Sequence, residues 1–183
     1  MIKPMLAQKV NTKPIDWTNK VFVQPKLDGV RCIFTKDGAY SRNHKQFKNV
    51  DHLQDDLQDF FKKFPDIVLD GELYNHALKQ DFEKIISLVR KQKPSEQDRS
   101  EASDLVQFHV YDVITEPNFT YEFRHNMLAL QLPIAKSITL IKNTVVENLD
   151  EAKMLHDVHL AQGYEGSMLR LNAFYEQKRS YNL

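Results

Sequence analysis

The feature that most limits what this chain can become is a polar hexapeptide set between two apolar runs. Val21-Phe22-Val23 reads as a buried strand and Val30–Thr35 as the next. Between them, Lys26-Leu27-Asp28-Gly29-Val30-Arg31 crowds two cations and a carboxylate into one turn. Gly29 has no side chain, so the backbone there can come close to a ligand. The cations suit a phosphate and the carboxylate suits a metal. A lysine amine is a nucleophile only when deprotonated, and an ordinary lysine pKa of about 10.4 works against that. A neighbouring cation or a bound metal lowers it. The hexapeptide therefore reads either as a lysine poised to attack phosphorus or as a surface turn with an ordinary salt bridge.

A length of 183 residues fits one domain, or one with a small appendage, and a 42% hydrophobic fraction supplies a core. Lys plus Arg and Asp plus Glu are equal at 25 each, so no bulk field points to nucleic acid and local clusters must carry any such reading. The single cysteine, Cys32, excludes an internal disulfide framework and fits a reducing cytoplasm. Placed in a strand, it reads as a small buried hydrophobe rather than a catalytic thiol. The first residues lack the apolar core of a signal peptide, and no run is long enough to span a bilayer. A soluble, intracellular protein is expected.

Asp37-Gly38 reads as a hairpin turn joining residues 30–36 to 39–42. Residues 49–64 carry Val50, Leu53, Leu57, Phe60, Phe61 and Phe64 at helical spacing, ended by Pro65. Residues 67–74 read as a buried strand, 80–91 as an amphipathic helix and the polar stretch 92–103 as a mobile surface loop. A strand is expected over 105–114, a helix over 121–132, one or two strands within 137–146 and a helix over 150–162. Asp150 would cap that helix at its start and Gly163 at its end. Gly166–Leu171 completes the set. Strands and helices mix without regular alternation, so the pattern predicts an α+β domain with largely antiparallel sheets flanked by helices.

Four further stretches place polar groups where a strand does not need them. Ser41-Arg42-Asn43 opens a basic segment with Lys45 and Lys48. Asp70-Gly71-Glu72 puts two carboxylates at i and i+2, on one face of a strand. Phe108-His109-Val110-Tyr111-Asp112 sets aromatics before an acid, and Glu165-Gly166-Ser167-Met168-Leu169-Arg170 sets an acid and an arginine about a strand. Each alone has an ordinary reading: an exposed strand end, a core aromatic, a helix-terminal charge. Paired carboxylates also suit a glycosidase, but Trp17 is the only Trp to stack a sugar. His156 and His159 lie one helical turn apart without a third zinc ligand, so a solvated or half-buried pair is expected.

Taken together and in order, these stretches resemble the covalent nucleotidyltransferase superfamily of ATP-dependent DNA ligases, RNA ligases and mRNA capping enzymes. Lys26–Arg31 resembles its first motif (lysine, any, Asp, Gly, any, Arg), followed by Ser41-Arg42, Asp70-Gly71-Glu72, Phe108–Asp112 and Glu165–Arg170. The opening Lys3-Pro4-Met5-Leu6-Ala7 and the tail Lys178-Arg179-Ser180 resemble small viral and phage ATP-dependent DNA ligases. The resemblance spans the whole chain. It implies an ATP-grasp-like adenylation (nucleotidyltransferase) domain over residues 1–183, with the nucleotide pocket between the sheets. It also implies a DNA ligase of replication, repair or recombination, with ATP and Mg²⁺ as cofactors.

On this resemblance Lys26 attacks the α-phosphorus of ATP and forms a lysyl-AMP adduct. AMP passes to the 5′-phosphate of a DNA nick, and the 3′-hydroxyl seals it. Arg31 would offset phosphate charge, and Arg42 and Glu72 would bond the ribose hydroxyls. Tyr111 and Met168 would grip adenine from either face, with the backbone around Gln24 reading its edge. Glu165, and with it Asp28, would hold Mg²⁺; Lys26, Asp28, Arg31 and Glu165 form the catalytic set. Arg42, Lys45, Lys48, Arg170, Lys178 and Arg179 would contact DNA. The implied partner is nicked duplex DNA and not a membrane, bound by a monomer in the cytoplasm, that of a host cell for a viral or phage ligase, with the nucleus left open. RNA ligase, guanylyltransferase and a non-catalytic nucleotide- or DNA-binding module stand as alternatives. The family's fifth-motif lysines and its C-terminal OB-fold domain are not found before Leu183, so slow self-adenylation and little nick sealing are expected of these residues.

Overall fold

The apolar runs on either side of the polar hexapeptide do form strands, and they belong to different sheets. A computed structural model describes residues 2–183. The strands are β1 (Leu6–Ala7), β2 (Val21–Lys26), β3 (Val30–Thr35), β4 (Gly38–Tyr40), β5 (Val68–Tyr74), β6 (Gln107–Ile114), β7 (Ile138–Leu140), β8 (Thr144–Val146), β9 (Gly166–Leu171) and β10 (Arg179–Ser180). The helices are α1 (Asp51–Asp56), α2 (Gln58–Lys63), α3 (Phe82–Val89), α4 (Glu96–Leu105), α5 (Tyr121–Gln131) and α6 (Leu149–Ala161), with a 3₁₀ turn at His76–Leu78. One sheet runs β4-β3-β5-β6-β7, antiparallel except for the last pair; a second runs β8-β2-β9 and is antiparallel; β1 and β10 form a short parallel pair. The expected α+β architecture with largely antiparallel sheets is the one observed.

The main core lies between the five-stranded sheet and helices α1–α4. Phe34, Leu57, Leu69, Leu73, Leu88 and Phe108 are among its fully buried members. Burying a side chain of that size stabilises by about 1.5–3 kcal/mol. Cys32 packs in this core as a free thiol, as its strand position suggested. A smaller core holds α6 on the three-stranded sheet through Val21, Val23, Val146 and Ala152, with Trp17 against it. A third gathers Met5, Tyr175 and Leu183 near Met168 and Ile114.

Three local expectations change. The helical run 49–64 divides at Leu57 into α1 and α2, although Leu57 still donates to Leu53 O at 3.1 Å. The stretch 92–103 is not a mobile loop, because most of it is α4. Ser95 and Asp98 form a reciprocal capping box there, and Ala102 inserts into the main core. Polar composition hid the apolar contacts, Ala102 and Leu105, that dock this helix. For α6 the cap is Asn148 rather than Asp150: the Asn148 side chain accepts from the Glu151 N–H at 2.9 Å. Gly163, at φ +87°, ends that helix as expected.

Candidate active site

Lys26 is the last residue of β2 and pairs in register with Gly166 of β9. Residues 27–29 then carry the chain across to β3 in the other sheet. The crossing is tight: a Cβ on Gly29 would lie 2.5 Å from Cγ of Glu72 and 2.6 Å from Leu73 O. Packing of the crossing on β5 is thus a reason for this glycine besides the expected approach to a ligand, and Gly29 does line the clefts on either side. The two sheets form the walls of a cleft of about 280 Å³. It is lined by Gln24, Lys26, Asp28, Arg31, Glu72, Tyr111, Glu165, Met168 and Arg170, together with Pro25, Leu27, Gly29 and Leu183. Every residue expected to touch the nucleotide, Arg42 excepted, therefore faces one space.

Lys26 Nζ is ion-paired with Glu165, whose N–H also donates to Lys26 O at 3.1 Å. Both side chains remain nearly half exposed, so the pair is open to solvent and to a ligand. On the opposite wall, Asp70 receives Nε and Nη2 of Arg31, each at 2.7 Å, and the Tyr175 hydroxyl at 2.6 Å. Arg31 Nη2 also donates to Met5 O at 2.9 Å, while Met5 N–H donates to Tyr175 Oη at 2.7 Å. The Arg31 guanidinium sits 4.9 Å from the centre of the Tyr111 ring. The Tyr111 hydroxyl donates to Glu72 Oε2 at 3.3 Å. Burial pushes the Glu72 carboxyl up to about 7, against the pull of Arg31.

Arg42 and Lys45 line a second, larger cleft of about 1030 Å³ that shares Gly29, Arg31 and Glu72 with the first. Their loop is closed by Ser41 N–H to Lys45 O and Lys45 N–H to Ser41 Oγ, which leaves Arg42 exposed at its tip. Lys48 is exposed outside both clefts. Lys178 and Arg179 are exposed on the β10 side, paired with Glu176 and with Ala7 O respectively. Arg170 is not a surface residue: it is 2% exposed, and its guanidinium bonds Gln24 and Asp112. An arginine so enclosed cannot reach a DNA backbone, which corrects its expected place among the DNA contacts.

For a magnesium ion, the cleft offers the carboxylates of Glu165 and Asp28. Among the described residues no group of three or more His, Cys, Asp or Glu could hold a metal. Two hard oxygens without a closed cage suit Mg²⁺, which keeps waters and shares phosphate oxygens. Of the two helical histidines, His159 has its Nδ1 2.7 Å from Ser167 Oγ. The sequence reading gave no site role to Tyr175, whose hydroxyl donates to the Asp70 that holds Arg31, to Met5, whose carbonyl accepts from Arg31 Nη2, or to Arg90, which lines the larger cleft. Among the described residues no helix is long and apolar enough to cross a membrane.

The family described as ATP dependent DNA ligase domain matches residues 4–183. The DNA ligase of African swine fever virus (strain Badajoz 1971 Vero-adapted) is 29% identical over all of this chain and 44% of its own length. That of Enterobacteria phage T4 is 25% identical over 98% of this chain and 47% of its own length. The chain thus spans less than half the length of these relatives. Among solved structures, a Lig E DNA ligase superposes with a TM-score of 0.77 at 21% identity, over all of this chain and 67% of that one. The bacteriophage T7 ATP-dependent DNA ligase in complex with ATP gives 0.75 at 18% identity, over 97% and 66%. These two share the fold.

Proposed function

Because the chain belongs to the ATP-dependent DNA ligase domain family, we propose that residues 4–183 work as an adenylation domain in which Lys26 takes AMP from ATP and hands it to nicked DNA. The observation that carries this is the cleft itself: Lys26 stands at the seam of two sheets, with Glu72, Tyr111, Met168 and Glu165 on the walls around it. In the adenylation step the Lys26 Nζ lone pair forms a P–N bond to the α-phosphorus. The P–O bond to pyrophosphate breaks, and the lysine gives up a proton. The Lys26–Glu165 ion pair engages the amine, so it must part before attack. Glu165 is the nearest base for the proton. Its carboxylate and that of Asp28 would hold Mg²⁺, which when bound supplies charge neutralisation at the phosphates.

Tyr111 and Met168 would take adenine between a ring and a thioether. Glu72 and Arg42 would bond ribose hydroxyls, and Arg31 would face the phosphates. AMP then passes to the 5′-phosphate of a nick, and attack by the 3′-hydroxyl releases AMP and joins the strands. Arg42, Lys45, Lys48, Lys178 and Arg179 remain as DNA contacts, on a protein acting as a monomer in the cytoplasm of its cell or host cell. Intact-mass measurement after incubation with ATP and Mg²⁺ tests the first step, with the modified residue mapped. An AMP adduct on Lys26 is expected, and an adduct elsewhere sinks the reading. Labelled GTP beside ATP separates a capping enzyme, and nicked RNA beside nicked DNA separates an RNA ligase.

A further inference from the structure

Glu165 enters the cleft at the end of the turn that joins α6 to β9. From Gly166 onward the backbone is held by pairing with β2, and Glu165 N–H donates to Lys26 O at 3.1 Å. Residues 162–164 lie before that ladder begins, and side chains from the other sheet reach across to them. His76 stands in the 3₁₀ turn that follows β5, and its ring stacks on that of Tyr164 with centroids 4.2 Å apart and planes 26° apart. Its Nε2 lies 3.0 Å from Gln162 O and its Nδ1 2.8 Å from Tyr74 Oη. A carbonyl only accepts, so Nε2 carries a hydrogen toward Gln162; in the neutral ring Nδ1 then accepts from the Tyr74 hydroxyl. At the end of the same turn, Lys79 Nζ donates to Gln162 O at 3.4 Å. Its stem closes over Gly163, where a Cβ would lie 2.8 Å from Lys79 Cδ and Cε.

The His76 side of this contact is itself fixed. Tyr74 is buried with its ring edge-on to that of His109 at 5.3 Å. Asn75 ties the 3₁₀ turn down, accepting from Ala77 N–H at 3.0 Å and donating to Leu105 O at 2.9 Å. Two stacked rings therefore clasp the turn that carries Glu165 to the end of the strand that carries Glu72. Neither His76 nor Tyr164 lines the cleft around Lys26 or the larger one beside it. We propose that His76 and Tyr164 are positioning residues for the transfer of AMP to Lys26: their stacked pair binds the 162–165 turn to the end of β5 and so holds Glu165 at the nucleophile. This rests on the reading of Lys26 as nucleophile and Glu165 as its base. The pair acts on the chemistry through Glu165 and makes no contact with the nucleotide.

The test is the rate of AMP-adduct formation, followed by intact mass over a range of ATP concentrations with Mg²⁺. It compares the wild type with His76→Ala, Tyr164→Ala, the two together and Tyr164→Phe, with melting temperatures measured beside it. Freeing Glu165 costs alignment and not nucleotide contacts. Each alanine variant should therefore slow the rate at saturating ATP by about tenfold, while the half-saturating ATP concentration stays within about twofold of the wild type. The double variant should be no more than about twofold slower than either single one, since one loss already opens the clasp. Tyr164→Phe keeps the ring and gives up only a hydroxyl that takes part in none of these contacts, so it should run at the wild-type rate. His76→Gln keeps a polar side chain at a half-buried position and removes the ring. It should slow the saturated rate by more than about threefold, which leaves the proposal open to failure where His76→Ala does not fold. Saturated rates in the folded ring-deletion variants equal to that of the wild type would overturn it. So would a loss confined to the half-saturating concentration, which would put the pair in the nucleotide pocket, or a Tyr164→Phe as slow as Tyr164→Ala. A wild type that forms no adduct on Lys26 would sink the adenylation reading, and this one with it.

Discussion

Three side chains in the cleft carry the sharpest expectations. Lys26→Ala should abolish the AMP adduct with little effect on the melting temperature, since the side chain is partly exposed and its one ion pair is open to solvent. Lys26→Arg should fail equally, because a guanidinium stays protonated and cannot attack; adduct retained in either variant, read by intact mass, would assign the wrong nucleophile. Tyr111→Ala should weaken ATP binding by about 1–3 kcal/mol, the usual loss when a base loses an aromatic partner, while Tyr111→Phe gives up one 3.3 Å hydrogen bond to Glu72 and should bind nearly as well. A titration of both variants separates ring from hydroxyl. Glu72 ties the site to pH. Burial raises its folded value from 4.5 to about 7, so between those values the folded protein holds more proton than the unfolded chain. Its contribution to stability is complete below about 4.5 and is lost as pH rises through about 7. Thermal melts should therefore show Glu72→Gln gaining on the wild type as pH rises over that window. The nucleotide should respond in the opposite sense, because only the ionised carboxylate is purely an acceptor for ribose hydroxyls, so ATP affinity should climb through pH 7 in the wild type and stay flat in Glu72→Gln.

Among the elements, α4 and β5 show how far pattern alone reaches. The apolar runs that became β2, β3, β5 and β6 were legible because their burial is nearly continuous, and the hexapeptide announced itself by placing charge between two of them. Helix α4 was not, because its sequence, Glu-Gln-Asp-Arg-Ser-Glu-Ala-Ser-Asp-Leu, offers solvent almost everything and the core little beyond Ala102 and Leu105. What holds its start is the Ser95–Asp98 capping box, a local signal that polar composition masked. Ser95→Ala should cost about 1 kcal/mol, as loss of an N-cap side chain usually does, and should loosen Ala102 and Val106 from the main core; a denaturant titration reads the loss. In β5 the register against β6 shifts between Asp70 and Gly71. A Cβ at Gly71 would lie 2.4 Å from His109 O and 2.6 Å from a Phe108 ring carbon, both parts of the packed sheet. The glycine in the Asp-Gly-Glu stretch is thus a packing requirement between two acids, and nothing in a single sequence separates that from a turn. The same limit hid the Arg31–Asp70–Tyr175 contact and the true place of Arg170: both join residues more than 30 apart, and only the closed sheets bring them together.

At the scale of the whole molecule the charge balance decides how DNA can be held. With 25 basic and 25 acidic residues there is no net field to draw a phosphate backbone. Arg170 and Arg124 are spent inside, neutralised by Asp112, and Arg31 is committed to Asp70. The exposed cations near the larger cleft, Arg42, Lys45, Lys48 and Arg90, are therefore available on that side, with Lys178 and Arg179 on the β10 side. Lys178 is already paired with Glu176 at 3.0 Å and Arg179 with a backbone carbonyl, which leaves the Arg42–Lys48 segment as the stronger electrostatic contact. Each phosphate neutralised releases counterions, so binding to duplex DNA should weaken as salt rises, with a slope near −0.9 per contact. Lys45→Gln with Lys48→Gln should flatten a plot of log affinity against log salt by about 2 units if both touch phosphate. The same double change should leave ATP binding unaltered, because Lys48 lies outside both clefts and Lys45 outside the one that holds Lys26. Lys178→Gln with Arg179→Gln should move the slope less. A slope unchanged by the first pair and flattened by the second would place the duplex on the β10 side, away from the loop that carries Arg42.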